Sequence, residues 1–220
     1  MNKKTYCIFL SAAILLAACD LPLKQLDDAP EDDTTVVEDT SLFEPQDNGS
    51  YAFETNDTKY TSENGYTIWA VTQQISSADS FSDFTTSLVK SHGNTGYGFG
   101  VIFNGNTDSS GNTSMICVLI RTTGDYAIGK VENGLYDDIQ YWESNSYIKT
   151  GLGVENTIKI TKDTESDEYA VTFNGNSDST VTFLDKGSYI YDNGNRGYVV
   201  VLAPDENFPN NRVVVSFTNE

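Results

Sequence analysis

The sequence predicts an all-β domain, a sandwich or barrel, over residues 51–220. Short runs rich in Val, Ile, Tyr, Phe and Thr recur through this region, with clusters of Gly, Asn and Asp between them. Several runs alternate in character, as where Ile158 and Ile160 flank Lys159, which is the period of a half-buried strand. About 170 residues are also enough for one domain with a full core.

We expect strands at residues 66–75, 96–103, 114–121, 125–132, 156–162, 168–173, 179–185, 197–203 and 212–217. The runs "MICVLI" and "YVVVL" are apolar throughout, so they should lie centrally with both faces covered. In "SFSDFTTSLVK", Phe81, Phe84 and Leu88 have helical spacing, with Ser80 and Asp83 placed as a capping box. The β-branched residues of the same segment favour a strand, and we predict one over residues 84–90.

The N-terminus, "MNKKTYCIFLSAAILLAAC", has two lysines, an apolar run of signal-peptide length and small residues before Cys19. The stretch Leu16-Ala17-Ala18-Cys19 resembles the bacterial lipobox. That resemblance implies that residues 1–18 are a signal peptide and that Cys19 is lipidated, anchoring the protein to a membrane of the bacterial cell envelope with its domain outside the cytoplasm. The alternative is an uncleaved N-terminal helix, for which the apolar run is short. The next residue, Asp20, resembles an inner-membrane retention signal, although the sequence leaves the membrane open.

Residues 19–50 should form a disordered acidic tether between the lipid and the domain. The segment after Cys19 holds ten of the 32 acidic residues and one lysine, without a periodic apolar pattern. Such a segment cannot bury enough apolar surface to offset its ordering entropy, and its charges repel one another. Its expected role is spacing from the membrane, with recognition by a sorting or export machinery as the alternative.

The chain is strongly acidic, with a formal net charge of −19, and residues 51–220 keep 22 acidic against ten basic residues. A surface of this sign repels nucleic acid, which is excluded as a partner. Without Cys7 and Cys19, Cys117 is the sole thiol and cannot form an internal disulfide. Within its apolar run we expect Cys117 to be a small buried hydrophobe.

The order "GYGFGVIFN … MICVLI … GDYAIGKVENG … W … YIKTGLGVENTIKITKD … YAVTFNGN … VTF … RGYVVVLAPDENFPNNRVVVSF" resembles concanavalin A-like domains of the laminin G and sugar-hydrolase-like type. The resemblance covers roughly residues 66–217 and rests on the order and spacing of the motifs. It implies a jelly roll of two antiparallel sheets. This fold hosts lectins, glycanases and adhesion modules, so it does not assign a function.

No catalytic site is recognised. The glucanases of this fold carry Glu-x-Asp-x-Glu along one strand, and the only comparable spacing here is Asp163, Glu165 and Asp167, in a hydrophilic segment that we interpret as a solvated hairpin tip. The single histidine, His92, lies in a Gly-flanked stretch and is interpreted as a surface residue. Zinc would need more His or Cys ligands. No cofactor is therefore expected.

Calcium is the one metal for which the sequence offers candidate ligands, at Asn104, Asn106 and Asp108. They fall at alternate positions, as the first ligands of a calcium loop do. Ser109 stands where an EF-hand requires glycine, and Met115 where it requires glutamate. The pattern therefore departs from the motif at two essential positions.

Aromatic rings beside amide and carboxylate groups are a common way to bind a sugar. The segment "GLYDDIQYWESNSY" has this mixture, and its candidate ligand-binding residues are Tyr136, Asp137, Asp138, Tyr141, Trp142, Asn145 and Tyr147. The alternative is that Trp142 is the core tryptophan of the related domains, with tyrosines flanking it on the sheet. Trp69, inside "TIWAV", is expected in the core.

Three functions remain open. The preferred hypothesis is a lipid-anchored, non-catalytic module that binds glycan or an envelope or host protein. The second is a carbohydrate-active enzyme, glycoside hydrolase-like, with Asp137, Asp138 and Glu143 as its first candidates. The third is a structural or assembly lipoprotein of the envelope.

Two stretches share letters at matching offsets, "FGVIFNGNTDSS" and "YAVTFNGNSDST". The similarity ends in both directions, so a domain duplication is not indicated. Asn-Gly after a strand is a strong hairpin signal, because both residues tolerate the positive φ of a type I′ turn. We predict a tight structural turn at Asn174-Gly175 and a longer exposed loop over residues 104–112, the only one of the two with room to bind a ligand.

Overall fold

The fold is that of a computed structural model, which describes residues 43–47, 49–55, 80–107, 109, 113–132, 135–184, 195–203 and 212–220 together with the backbone of three short strands at residues 5–6, 36–37 and 68–71. The predicted lipidation of Cys19 lies outside these residues, as does most of the predicted signal peptide and tether. No helix in the described part of the chain is long and apolar enough to cross a membrane.

Two sheets make up the molecule. The eight-stranded sheet has the order β1 (Thr5–Tyr6), β10 (Leu135–Ser144), β9 (Asp125–Glu132), β8 (Thr113–Ile120), β7 (Phe99–Thr107), β14 (Arg196–Leu202), β5 (Ile68–Val71) and β2 (Val36–Val37). The seven-stranded sheet has the order β13 (Val181–Leu184), β12 (Glu168–Phe173), β11 (Glu155–Lys162), β6 (Phe84–His92), β15 (Val213–Asn219), β4 (Tyr51–Thr55) and β3 (Phe43–Pro45). Every pairing is antiparallel except that of β2 with β5. The all-β sandwich predicted from the sequence is confirmed.

The segment with competing helix and strand signals is a strand, as predicted. β6 runs over Phe84–His92 and pairs with β11 on one side and β15 on the other. The predicted cap residue Asp83 instead accepts a hydrogen bond from the backbone N–H of Lys162 through Oδ1, at 3.3 Å. The β-branched residues therefore outweigh the helical spacing of the phenylalanines, because neighbouring strands are available on both edges.

The interior lies between the two sheets. Alternate residues of β8, Ile116, Val118 and Ile120, belong to the same buried cluster as Ile158 of β11 and Phe217 of β15. Aromatic rings fill much of this space: Tyr198 stacks on Phe217 with centroids 4.3 Å apart. Burial of this apolar surface is the main force holding the two sheets together.

The eight-stranded sheet is also apolar on its outer face, the face turned away from the other sheet. The remaining residues of β8, Met115, Cys117 and Leu119, form a second buried cluster with Ile102 and Val199 of the neighbouring strands. Every residue of β8 is buried, which confirms the prediction that this strand is covered on both faces. Burial also raises the pKa of the Cys117 thiol to about 12, so the thiol stays protonated and packs as a hydrophobe.

The sandwich begins before residue 51, which corrects the predicted end of the tether. β3 pairs with β4, and its Phe43 is buried with ring centroids 4.9 Å from Phe53. A tight turn joins the two strands, with Gly49 at φ 78°. The acidic composition concealed this strand, because a single buried aromatic and a turn glycine give no periodic pattern.

Of the predictions for the two "FNGN" stretches, the tight turn at Asn174-Gly175 is confirmed and the loop over residues 104–112 is wrong in part. Asn174 and Gly175 have φ values of 52° and 65°, so the type I′ turn is confirmed. The predicted loop over residues 104–112 is wrong in its first part, because β7 continues to Thr107 and pairs Asn106 with Ser114. A register shift after Phe103 makes Asn104 part of a bulge, with its side chain buried.

Candidate functional site

The candidate site is built on β10, a long strand near one edge of the eight-stranded sheet. It pairs with β9 through two irregularities in register, one on each side of Gln140. Tyr136 and Trp142 pack against the outer cluster, whereas Ile139 packs against the interior cluster. The strand therefore presents two aromatic side chains on the outer face, consistent with the alternation of a pleated strand.

Trp142 is fixed by contacts on two sides. A Cβ atom added to Gly98 would lie 2.8 Å from Cη2 of Trp142, so the indole covers a position that only glycine can occupy. The guanidinium carbon of Arg121 lies 3.6 Å from the centre of the indole. A contact this short places the two planar groups face to face, as a cation–π pair. Trp142 thus supports Arg121 and closes the outer cluster.

Arg121 follows the last residue of β8 and opens the tight turn to β9. Its backbone N–H donates to the carbonyl of Asp125, and Gly124 donates back to the carbonyl of Arg121. Partial burial lowers the pKa of the Arg121 guanidinium, while the nearby charge of Asp125 and the hydroxyls of Tyr141 and Tyr97 act in the opposite direction. The charge of the guanidinium therefore interacts with two tyrosines in addition to Trp142.

Asp125 lies beside Arg121, but its two carboxylate oxygens bind other groups. Oδ1 accepts a hydrogen bond from Ser144 and Oδ2 accepts one from Thr123, each at 2.7 Å. These two hydroxyls hold the pKa of Asp125 below its usual value, with a smaller contribution from Arg121. The carboxylate is thus ionised and fixed in the turn.

Tyr97 reaches this site from the connection between β6 and β7, which a buried lysine organises. Lys90 is 1% exposed, and its Nζ donates to the carbonyls of Asn94 at 2.6 Å and Tyr97 at 3.1 Å. Tyr97 itself packs against the outer cluster. Lys90 is consequently a positioning residue for the backbone that carries Tyr97.

The other aromatics of β10 differ in exposure. Tyr141 is 69% exposed, more than any other large hydrophobic side chain in the described part of the chain. Tyr136 instead lies over Gly129, where an added Cβ would overlap its ring, and donates its hydroxyl to Oδ1 of Asp138 at 2.9 Å. Asp137 is also exposed. Tyr141 is thus the aromatic of this strand most available to a ligand.

Asn145 and Tyr147, also predicted in this site, have structural roles. Asn145 donates through Nδ2 to the carbonyl of Ser179 and accepts the backbone N–H of Tyr147 through Oδ1. The Tyr147 hydroxyl lies 3.4 Å from Oδ2 of Asp178. Both residues tie the connection after β10 to the short 3-10 helix Ser177–Ser179, so their polar groups are already engaged within the fold.

Sequence reasoning missed Tyr97 and Arg121, and the structure adds them to Tyr141 and Trp142. We call these four residues the β10 aromatic cluster. Arg121 could have been noticed as the charged residue that ends an apolar strand, "MICVLIR". Nothing in the sequence places it against Trp142, because that contact depends on the register between β8, β9 and β10.

Two of the three calcium candidates, Asn104 and Asn106, lie within strand β7 and not in an open loop. Asn104 is buried, and its Nδ2 donates to the hydroxyl of Tyr169 at 2.6 Å. Asn106 lies within β7, and Asp108 is outside the described residues. The described part of the chain contains no group of three or more His, Cys, Asp or Glu side chains that could hold a metal ion.

The enzyme alternative needs two facing carboxylates. None of the described strands carries Asp or Glu at two alternate positions, which is the spacing of the glucanase motif. The alternate residues on the outer face of β8 are the apolar Met115, Cys117 and Leu119. Glu143 accepts a hydrogen bond from Tyr126 at 3.1 Å, and burial with this bond raises the pKa of Tyr126 to about 12.

The predicted hairpin tip between β11 and β12 is confirmed. Asp163 is exposed, and its oxygens accept the backbone N–H of Glu165 and the hydroxyl of Ser166. The hydrogen bond from Glu165 is the main cause of a lowered pKa at Asp163. His92 is exposed at the end of β6, where its Nδ1 lies 3.1 Å from the hydroxyl of Ser91. Both are surface features.

No protein-family model matches the sequence, and no curated protein matches it. Solved structures do match its shape. A carbohydrate binding module from Bacillus subtilis superimposes with a TM-score of 0.53 at 12% identity, over 81% of this chain and 90% of that chain. The beta-glucanase of Bacillus licheniformis gives a TM-score of 0.51 at 9% identity, over 84% and 83% of the two chains.

A mixed linkage glucan GH16 protein of Bacteroides ovatus, solved in complex with a product, gives a TM-score of 0.50 at 10% identity, over 83% of this chain and 87% of that chain. The fold is a concanavalin A-like jelly roll. The fold predicted from the order of motifs is thus confirmed. Identities this low show the shared jelly roll alone, so the function has to be argued from the site.

Proposed function

We propose that this protein is a lipid-anchored envelope protein whose jelly-roll domain binds glycan without catalysing a reaction, through the β10 aromatic cluster. The observation that carries the proposal is Tyr141, an aromatic ring 69% exposed to solvent beside the Arg121–Trp142 stack. Sugars present C–H faces to aromatic rings and hydroxyls to nearby polar groups. The cluster offers both kinds of group within one edge of the sheet.

The fold comparisons support this choice. A carbohydrate binding module has the same fold, and it aligns over most of both chains. The outer face of the central strands is closed by an apolar cluster, whereas β10 carries an exposed aromatic ring and exposed carboxylates on one strand. The lipobox residues before Cys19 support attachment to a membrane.

A binding assay on an array of glycans tests the proposal, with isothermal titration of each glycan that binds. Tyr141→Ala should weaken binding about five- to thirtyfold, because removing a stacking ring costs roughly 1–2 kcal/mol. Leu152→Ala is the control, since Leu152 is a 44% exposed apolar residue in the turn before β11. Full affinity in the Tyr141 variant would remove this site, and absence of binding to every glycan would favour the structural or assembly role.

Catalysis is the second candidate, because the two glucan-related proteins share the fold. Asp137, Asp138 and Glu143 are the carboxylates of β10 and the first to replace. Incubation of the purified protein with the same glycans should leave their chain length unchanged. Release of shorter products that disappears in Asp138→Asn or Glu143→Gln would establish an enzyme instead.

A further inference from the structure

Arg121 has hydrogen-bonding capacity that the described fold does not use. Its contact with Trp142 involves the flat face of the guanidinium. The N–H bonds of a guanidinium lie in its plane, so stacking leaves them free for acceptors at its rim. Within the described residues, the Arg121 side chain has no ion pair, and its buried Nε atom has no hydrogen-bond partner.

The neighbouring carboxylate of Asp125 does not serve as the hydrogen-bond acceptor for Arg121. Asp125 is close enough to affect the pKa of Arg121, but its two oxygens accept hydrogen bonds from Thr123 and Ser144. A partly buried guanidinium whose N–H groups lack acceptors is costly, since burial weakens its hydration and the stack on Trp142 supplies no acceptor in the guanidinium plane. The fold accepts this cost at a position flanked by two tyrosines, which indicates a use for the charge.

The position also contrasts with the charge of the whole chain. A net charge of −19 repels polyanions at long range, so no general basic surface explains a half-buried cation here. Recognition of an anion by Arg121 would be local and would rely on paired N–H donors. Carboxylate and sulfate groups match that fork in geometry and charge.

We propose that the glycan bound at the β10 aromatic cluster carries an anionic substituent, a carboxylate or a sulfate, and that Arg121 binds it. This inference rests on the proposed glycan-binding function and names its ligand class. The sugar ring lies against Tyr141, and the anionic group receives N–H donors from the guanidinium stacked on Trp142. Arg121 is then the residue that selects acidic over neutral sugars.

Matched pairs of oligosaccharides test this assignment: β-glucan with glucuronan, mannan with mannuronan, and galactan with galacturonan, each with a sulfated form of the neutral member. Titration calorimetry at moderate salt measures each affinity. The wild-type protein should bind a carboxylated or sulfated form at least tenfold more tightly than its neutral partner, and the two acidic arms separate a uronic acid from a sulfated sugar. Arg121→Met should remove this preference, because the acidic form should lose at least tenfold more affinity than its neutral partner does.

Two further variants keep the result interpretable. Arg121→Lys retains the charge without the planar fork, so it should keep only part of the preference. Arg212→Met removes the same charge from an exposed ion pair with Glu54 on the other sheet and should change nothing. Thermal unfolding of each variant verifies that it is folded.

Equal binding of neutral and acidic forms by the wild type would overturn the assignment while leaving glycan binding intact. Retention of the preference in a folded Arg121→Met protein would overturn it as well. Failure of all glycans to bind the wild type would instead refute the proposed function on which the inference rests.

Discussion

Single residues decide what the repeated "FNGN" letters become. Asn104 and Asn174 share a φ of 52°, but only Asn174 is followed by a residue of positive φ. Asn174 accepts the backbone N–H of Thr157 through Oδ1 and donates through Nδ2 to the carbonyl of Tyr147 at 2.7 Å and to Oδ1 of Asn156 at 2.8 Å. One asparagine therefore closes a hairpin and ties it to two neighbouring segments, β11 and the connection after β10.

Asn174→Ala should lower the free energy of unfolding by about 2–4 kcal/mol. A side chain with Cβ but no amide loses tolerance for positive φ, at about 1 kcal/mol, and leaves several part-buried partners without hydrogen bonds. Asn174→Gly should cost about 1 kcal/mol less, because glycine accepts the same φ. Urea unfolding measures both variants, and equal losses would mean that φ is not what asparagine contributes here.

The candidate site was predictable from sequence only in part, and the reason is visible in its residues. Tyr141 and Trp142 stand in one short segment with polar neighbours, so composition alone selects them. Asn145 was selected by the same rule but is engaged within the fold by Ser179. Arg121 was not selected, because only strand register brings it to Trp142.

At the scale of elements, β10 is held to β9 by an aromatic residue lying over a glycine. Tyr136 covers Gly129 so closely that an added Cβ would be 2.2 Å from Cε2 of the ring. An aromatic ring over a cross-strand glycine compensates for the missing side chain and fixes the pairing of the two strands. The same strand then carries Tyr141 and Trp142 to the site.

Gly129→Ala should destabilise the protein by about 1–3 kcal/mol, because the ring of Tyr136 has to move. In a Tyr136→Ala background the same change should cost at least about 1 kcal/mol less, which a double-mutant cycle of unfolding free energies measures. Additive losses in the double variant would show that the ring is not what excludes a side chain at Gly129.

Elements with a periodic or continuous apolar pattern were predicted well, and those without one were not. β9 and β12 have the bounds that were predicted from the sequence, and β6 follows its β-branched residues. β3 was missed because three residues with one buried aromatic cannot show a period. Pairing with β4, which no local signal reveals, is what makes it a strand.

At the scale of the molecule, the sandwich buries both faces of its eight-stranded sheet. The apolar run of β8 predicted this, since a strand with one wet face would alternate. Because the outer face of the central strands is closed, we place the proposed binding at β10, near one edge of this sheet. The edge is paired with β1 at Leu135 and Tyr136, and β1 falls within the predicted signal peptide.

The predicted lipidation of Cys19 concerns the whole molecule, because it determines whether the β-sandwich domain is held at a membrane. If the chain is cut before Cys19 and acylated there, the protein expressed in a bacterium should partition into the detergent phase and incorporate a labelled fatty acid. Several acyl chains on one residue bind a bilayer far more firmly than a single chain. Cys19→Ser should abolish the label, whereas Cys117→Ser should not, since that thiol is buried in the outer cluster. A labelled Cys19→Ser protein would contradict anchoring at this position.

Cleavage before Cys19 would also remove β1 and so free the backbone of Leu135 and Tyr136 from its pairing. Amide exchange at these two residues should therefore be faster in the mature protein than in the uncut Cys19→Ser protein.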